Sequence, residues 1–385
     1  SDCGWGILFG RNAQEACDLA LISRRAAEAC ETPFMNVQDG FLTTHTIENI
    51  KLPETEFMQE YMGDPNQKLR ILFDPRNPIM TGVVQNQDSY MKGKIAQRHF
   101  YDQVPAAVQE AMDLYYAKTG RRYRMVDTYR MDDAEYAVVG MGGMMETAQA
   151  AADYMREEMD LKVGVVHVTC FAPFPATQLV DALKNVRALT VLERMDNPLA
   201  QSNPLVQGIK ASFADALTGL SFGSNGEFKY PKITSIPKIY ACSAGLGSRD
   251  VRAGHFIQVV KNMLADRPRE YTVIGIKHSL ALPDGEDPDV RPQGAFSMRG
   301  HSVGGFGSVT TNKLIASFVG ELFNLHVQAY PKYGSEKKGL PTTYYLTVAE
   351  KHIRTHNELA HVEFIPLNDV NAFNLGNPLD GIADE

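Results

Sequence analysis

Residues 136–193, YAVVGMGGMMETAQAAADYMREEMDLKVGVVHVTCFAPFPATQLVDALKNVRALTVLE, decide the fold. The apolar run 136–141 meets the turn pair Gly142-Gly143, and a helical pattern follows over 146–158. Residues 161–169 contain VGVVHV, too apolar and too β-branched for an exposed strand. Phe171-Ala172-Pro173-Phe174-Pro175 turns into a helix over 176–184, and 188–193 reads as a third strand. Strands alternating with helices predict a parallel sheet with right-handed crossovers.

Two features of this stretch invite chemistry. Gly140, Gly142 and Gly143 stand between strand and helix, where doubly wound folds seat a pyrophosphate. Their spacing departs from G-x-G-x-x-G. The acidic residues about twenty positions on (Glu157, Glu158, Asp160) fall at a helix end and not after a second strand. A nicotinamide nucleotide site and a plain packing turn both stay open. Glu193-Arg194-Met195-Asp196 ends the third strand, where it either faces a site or forms an internal ion pair.

Working outward, residues 238–242 are another strand, Gly245-Leu246-Gly247 a turn, and 251–264 a helix. Asp266-Arg267-Pro268-Arg269 reads as a boundary, with 271–276 expected to begin the last domain. Upstream, a helix is predicted over 12–29. Ala13, Ala16, Cys17, Ala20, Leu21 and Ala27 take its inner face, with Glu15, Asp18 and Arg24 outward. Residues 34–37 follow as a short strand with Asp39-Gly40 as its turn. Thr43, Thr44 and His45 then become candidate site residues, although a lone histidine is more often a structural hydrogen-bonder. Residues 51–101 are polar and dotted with Pro53, Pro65, Pro75 and Pro78. So long a connection is expected to cover a partner domain. A helix over 104–118 stops at Thr119-Gly120. The expected division is 1–103, 104–268 and 269–385.

Residues 295–345 hold the second chemical signal. A short strand runs into Gly300, Gly304, Gly305 and Gly307. A helix follows with Val309, Leu314, Ile315, Phe318, Val319 and Leu322 on its apolar side. Strands at 326–330 and 342–347 flank a basic loop. Arg299, Lys313, Lys332, Lys337 and Lys338 bracket the two loops, and Ser302, Thr310, Thr311, Ser335 and Thr342 add hydroxyls. Loops of this kind offer backbone N–H groups and positive charge to a phosphate. If both meet at one sheet edge, they form a pocket for a phosphorylated ligand. The pattern is neither a Walker A sequence nor G-x-G-x-x-G, so a tight turn beside a solvated basic loop stays open. A strand is expected at 361–365, and 368–385 reads as a loop.

The chain has 385 residues, 44% hydrophobic and 22% charged, enough for two or three domains. A net charge of −8 argues against a nucleic-acid partner. No apolar run reaches the length of a membrane span, and Ser1-Asp2-Cys3-Gly4 lacks a basic, then apolar leader, so a cytoplasmic place is expected. The five cysteines form no C-x-x-C pair. Neither a disulfide framework nor a metal on this chain is expected.

The wording of several segments goes further than their chemistry. MRGHSVGGFGSVTTNK (298–313) with AYPKYGSEKKGLPTTYYL (329–346) resembles the gamma-type domain of the 2-oxoacid:ferredoxin oxidoreductases. DGFLTTH (39–45), QNQDSY (85–90), VLER (191–194) and GLGSRD (245–250) are similar to further segments of that family, in family order. The resemblance spans nearly the whole chain. It implies α/β architecture with successive open, mostly parallel sheets and flanking helices: transketolase-like domains plus a gamma-type domain. It implies a parent enzyme that decarboxylates a 2-oxoacid on thiamine diphosphate and passes electrons through [4Fe-4S] clusters to ferredoxin or flavodoxin. The acyl group goes to coenzyme A. In the family, the acid that activates thiamine lies upstream of the matching segments, so this chain is expected to be a fragment. Thiamine and cluster ligands then lie mostly elsewhere, the remaining domains or subunits complete a homo- or hetero-oligomer, and no catalytic residue is assigned. The coenzyme A lobe is expected here. Arg299, Ser302 and Lys313 would lie near the pantetheine or phosphates, and Lys332, Ser335, Lys337 and Lys338 near the nucleotide end. A non-catalytic subunit and a nucleotide-dependent oxidoreductase using the Gly140 turn are the competing expectations.

Overall fold

The computed structural model describes residues 3–64, 66, 73–220, 229–332 and 341–383. It builds three sheets, and two of them borrow a strand from another part of the sequence.

The first unit starts with β1 (Gly6–Phe9), α1 (Ala13–Cys30) and β2 (Phe34–Val37), the two strands parallel. Asn12 caps α1 by accepting from the Glu15 N–H, which satisfies one of the free donors of the first turn. The chain then makes β3 (Ile47–Glu48), which leaves this sheet, and the covering connection follows. That connection carries α2 (Thr55–Met62), α3 (Tyr90–Ala96) and α4 (Arg98–Tyr101). Its described residues 73–89 contain no helix or strand. α5 (Val104–Thr119) was expected to open the second domain. It packs instead on α1 through Val108, Met112 and Tyr115 against Leu19, Ile22 and Ala26. Asp18, expected to face outward, is fully buried. Four residues donate to it: Arg121 Nε at 2.6 Å, Tyr123 OH at 2.6 Å, Tyr115 OH at 2.7 Å and Gln14 Nε2 at 3.0 Å. A buried carboxylate is tolerable when its lone pairs are met in this way. Glu15 is buried for the same reason, held by Arg11 at 2.6 Å.

The second unit contains β4 (Val126–Tyr129), β5 (Tyr136–Gly140), α6 (Met144–Met159), β6 (Val163–Val168), β7 (Cys170–Ala172), α7 (Ala176–Leu183), β8 (Ala188–Glu193), α8 (Pro204–Thr218), β9 (Lys238–Ser243), α9 (Ala253–Leu264) and β10 (Tyr271–Val273). Its sheet runs β10-β9-β8-β5-β6-β4, parallel except for the antiparallel edge strand β4. β6 and β8 are buried at every position, as strands covered on both faces must be. Met145, Ala148 and Ala152 of α6 share one core with Phe256 and Val260 of α9. Leu179 and Leu183 of α7 share the opposite core with Ile209 and Phe213 of α8. Two strands depart from the expected division. β7 joins the first sheet, antiparallel to β1. Tyr271–Val273 does not begin the last domain but pairs with β9 as the sheet's edge.

The third unit holds β11 (Phe296–Val303), α10 (Ser308–Phe323), β12 (His326–Lys332) and β13 (Pro341–Ala349), in the order β11-β13-β12-β3. Every neighbouring pair is antiparallel. The mostly parallel expectation therefore holds in the central sheet and gives way here. β11 and β12 do run in the same direction across α10, but β13 lies between them. β3 closes the edge, with Glu48 opposite Gln328. Val309, Ala316 and Val319 are the apolar residues with which α10 packs on the sheet, while Leu314, Phe318 and Leu322 are exposed. The other face is covered by extended chain, with Leu359 and Val362 packed on Tyr330 and Tyr345. Residues 361–365 form no strand and reach β11 through an isolated bridge from Phe364 to Met298.

Candidate functional site

All three units meet at the carboxyl ends of the central strands. The turn after β5 carries Gly142 at φ +80°, a conformation that favours glycine. The Asp39 carboxylate, from the turn after β2, lies on this glycine pair. It accepts from the Gly143 N–H and pairs with Arg194 Nε at 3.0 Å. A Cβ built on Gly142 would meet Asp39 Oδ2 at 2.8 Å. The start of α6 is a natural anion seat, and a protein carboxylate fills it. The glycines are thus a packing turn, and the dinucleotide reading loses its place. Glu193 is used the same way. It accepts from the Leu205 and Val206 N–H groups at 2.8 and 3.2 Å at the start of α8, and burial raises its pKa against those two donors. The Glu193-Arg194 cluster is therefore internal.

One turn into α6, Glu146 is buried among polar partners. Asn12 Nδ2 donates to it at 2.7 Å, His356 Nε2 lies 2.6 Å away, and His352 Nε2 lies 3.4 Å away. His356 Nδ1 faces the Glu48 carboxylate at 3.9 Å. Burial disfavours charge on both Glu146 and His356, yet their mutual contact wins. Glu146 is held well below the ordinary carboxylate range, and His356 is raised to about 9. His352 is also raised, chiefly by its hydrogen bond to Glu146. His167, behind them on β6, is driven well down by burial and then by Arg11. It sits close to the Gly142 N–H, at 3.3 Å.

Of the candidates in the Asp39 segment, Thr43 reaches this junction. It is buried beside the Gly143 turn, and its hydroxyl has no hydrogen-bond partner among the described residues. Thr44 Oγ1 lies 2.8 Å from His45 Nδ1, and the His45 ring stacks on Phe41.

The strand ends that flank the basic segments meet elsewhere. Register places Ser302 opposite Thr342, and both His301 and Lys332 opposite Thr343. These five residues line one pocket of about 560 Å³, with Asp369 and Asn377 on its far wall. Ser302 Oγ is 2.7 Å from Ser308 Oγ, and Lys332 Nζ is 2.5 Å from Glu358 Oε1. Arg299 is drawn away. Its guanidinium donates to the carbonyls of Leu359 at 2.9 Å, Pro378 at 3.1 Å and Asp380, and so ties down the C-terminal chain. Lys313 lies on α10 and is not among the residues lining the pocket. Ser335, Lys337 and Lys338 fall outside the described residues. Sequence reasoning missed His301 and the Glu146–His356 contact. The alternation His352-x-Arg354-x-His356 was the available signal for the latter.

Two cofactors can be tested against these side chains. Asp39, Glu15, Glu48 and Glu146 each answer to protein donors. Cys170 and Cys242 are buried in different cores, with burial raising both thiols, Cys242 to about 12. Such thiols do not fit cluster ligation, which needs convergent thiolates. The described thiols therefore do not fit an iron–sulfur cluster.

Comparison with known proteins gives three matches in succession. The family model for pyruvate flavodoxin/ferredoxin oxidoreductase, thiamine diP-binding, matches residues 1–113. That for pyruvate:ferredoxin oxidoreductase core domain II matches 134–231. That for pyruvate ferredoxin/flavodoxin oxidoreductase matches 297–384. A pyruvate-flavodoxin oxidoreductase of Enterobacter agglomerans is 28% identical, covering 98% of this chain and 31% of that protein. The pyruvate:ferredoxin oxidoreductase of Moorella thermoacetica is 27% identical, with 98% and 31% covered. A pyruvate dehydrogenase (NADP+) of Cryptosporidium parvum is 27% identical, with 95% and 18% covered. The chain thus spans under a third of the length of these relatives.

Proposed function

The chain belongs to the 2-oxoacid:ferredoxin oxidoreductase family, and from that premise we propose that it is part of a thiamine diphosphate-dependent enzyme that oxidatively decarboxylates a 2-oxoacid. Pyruvate is the proposed substrate, ferredoxin or flavodoxin the electron acceptor, and coenzyme A the acyl acceptor. The observation that carries this reading is the succession of three matched segments in one order along one chain. Thiamine, when bound in such an enzyme, supplies the carbanion chemistry that releases carbon dioxide. On this reading, residues beyond those described, or a partner chain, hold it and the clusters.

The proposed contribution of this chain is the coenzyme A lobe. Ser302, Thr342 and Thr343 bring hydroxyl side chains to the lining of the pocket at the sheet end, and Lys332 adds a charged one. Lys337 and Lys338 follow within a few residues of Lys332 in sequence. Arg299 is a support for this lobe and not a ligand contact, because three carbonyls occupy it.

The test is kinetic, in the enzyme that contains this chain. Replacing Lys332, Lys337 and Lys338 with Ala should raise the KM for coenzyme A by about tenfold or more, since hydrogen bonds to charged groups contribute roughly 1.5–3 kcal/mol. Carbon dioxide release in a single turnover should stay unchanged. An unaltered KM for coenzyme A would remove the lobe from this pocket.

A further inference from the structure

We propose that Glu146, His356 and Glu48 form a proton-operated latch that clamps the third unit, with its edge strand β3, onto the central unit. The three residues come from three places: Glu146 from α6 of the central unit, Glu48 from β3, and His356 from the extended strap that follows β13. Alternate residues of that strap reach α6. His352 and His356 meet Glu146, while Arg354 meets Asp153 at 2.7 Å and Tyr129 OH at 3.0 Å. The His356 N–H donates to Thr147 Oγ1 at 2.9 Å. Ile353 and Thr355, between them, are buried. The strap is therefore seated along its length, and its buried end rests on the carboxylate–imidazole contact.

The charges facing this contact decide how it works. α6 contributes Glu146, β3 contributes Glu48, and the turn after β2 contributes Asp39. The start of α1 contributes Arg11 and the neutral Asn12, and the end of β8 contributes Arg194. The strap itself adds His352. Arg11 is taken by Glu15 and Asp127, and Arg194 by Asp39. Beside the neutral donors Asn12 and Gln328, imidazoles are then the groups that can bring positive charge to Glu146 and Glu48 among the described residues. His356 is 2% exposed, whereas the His352 side chain is 54% exposed and stands farther off. With its proton, His356 places one positive charge between two carboxylates carried by different units. Without it, Glu146 and Glu48 face a neutral ring in a poorly screened interior, where like charges repel.

The direction of titration agrees with this geometry. His356 is raised in the folded chain, so its stabilisation is complete below its ordinary value near 6.5 and fades as pH climbs through about 9. The latch is thus closed at neutral pH and opens under alkaline conditions. It does not depend on which ligand fills the pocket of the third unit.

Two measurements on the whole chain test it. In a chain labelled with ¹³C-histidine, one imidazole should titrate near pH 9, and that signal should vanish in His356→Gln. Hydrogen exchange of residues 350–358, corrected for the base-catalysed rate, should lose protection by about tenfold or more between pH 7 and 9.5. In His356→Gln and in Glu146→Gln the same segment should exchange fast throughout that range. The proposal is overturned if every imidazole of the unaltered chain titrates at or below the ordinary value. It is equally overturned if the strap's protection does not change with pH. Both of those results come from the unaltered chain, so a variant that fails to fold leaves them standing.

Discussion

α9 in the central unit and α10 in the third unit are about equally hydrophobic overall, and the fold treats them differently. α9 buries Phe256, Ile257, Val259 and Val260 in a core shared with α6. α10 buries only Asn312 and Ala316, and leaves Leu314, Phe318, Leu322 and Phe323 exposed, Leu322 by 74%. Asn312 earns its place by donating to the Tyr345 carbonyl at 2.9 Å. The contrast extends to the sheets. The central sheet has apolar helices on both faces, whereas the third has one helix and a strap fixed by polar ties. Apolar spacing along a helix therefore records a tendency toward burial, and it does not say which neighbour meets that tendency.

The largest expected effect lies in the doubly covered sheet. Phe256→Ala removes a fully buried ring and should cost about 3–5 kcal/mol in chemical denaturation. A cost near 1 kcal/mol would mean that the central core relaxes freely, and the contrast would weaken. Next comes the polar tie. Arg299→Ala strands three carbonyl acceptors, and should cost roughly 1.5–3 kcal/mol with faster hydrogen exchange over residues 376–381. Exchange confined to its former rate would show that the C-terminal chain has other anchors. The smallest effect belongs to the bare face. Phe318→Ala should alter stability by no more than about 0.5 kcal/mol, because the ring is already 58% exposed. A loss above 2 kcal/mol would show that α10 is covered in solution, and the comparison would fail at its root.

The central unit was legible because buried parallel strands are continuous apolar runs, and 161–169 and 188–193 could hardly be anything else. The third sheet was legible only in part. Residues 296–332 do run strand, helix, strand with both strands in one direction, but nothing local announces that 341–349 will slip between them. Burial of Asp18 was hidden because its partners Arg121, Tyr115 and Tyr123 lie about a hundred residues away. The site behaved likewise. The pocket of Ser302 and Lys332 could be anticipated from two neighbouring loops, whereas Glu146 and His356 stand 210 residues apart. His45 drew notice through its segment, yet the histidines that gather at the junction are His352 and His356.

The edge strand β3 has a consequence for how the chain is made. Gln328 Nε2 donates to Glu48 Oε1 across a separation of 280 residues, so the third sheet recruits a strand synthesised long before its partners. At roughly 5–20 residues per second, a ribosome takes about 15–60 s to cover that interval. During that time Ile47 and Glu48 have no β12 to pair with, and pairings at such distance are slow to form. The third sheet can close only after the early segment has waited, unpaired with β12, while the intervening residues are made. Severing the polypeptide between its second and third units would leave that segment waiting indefinitely.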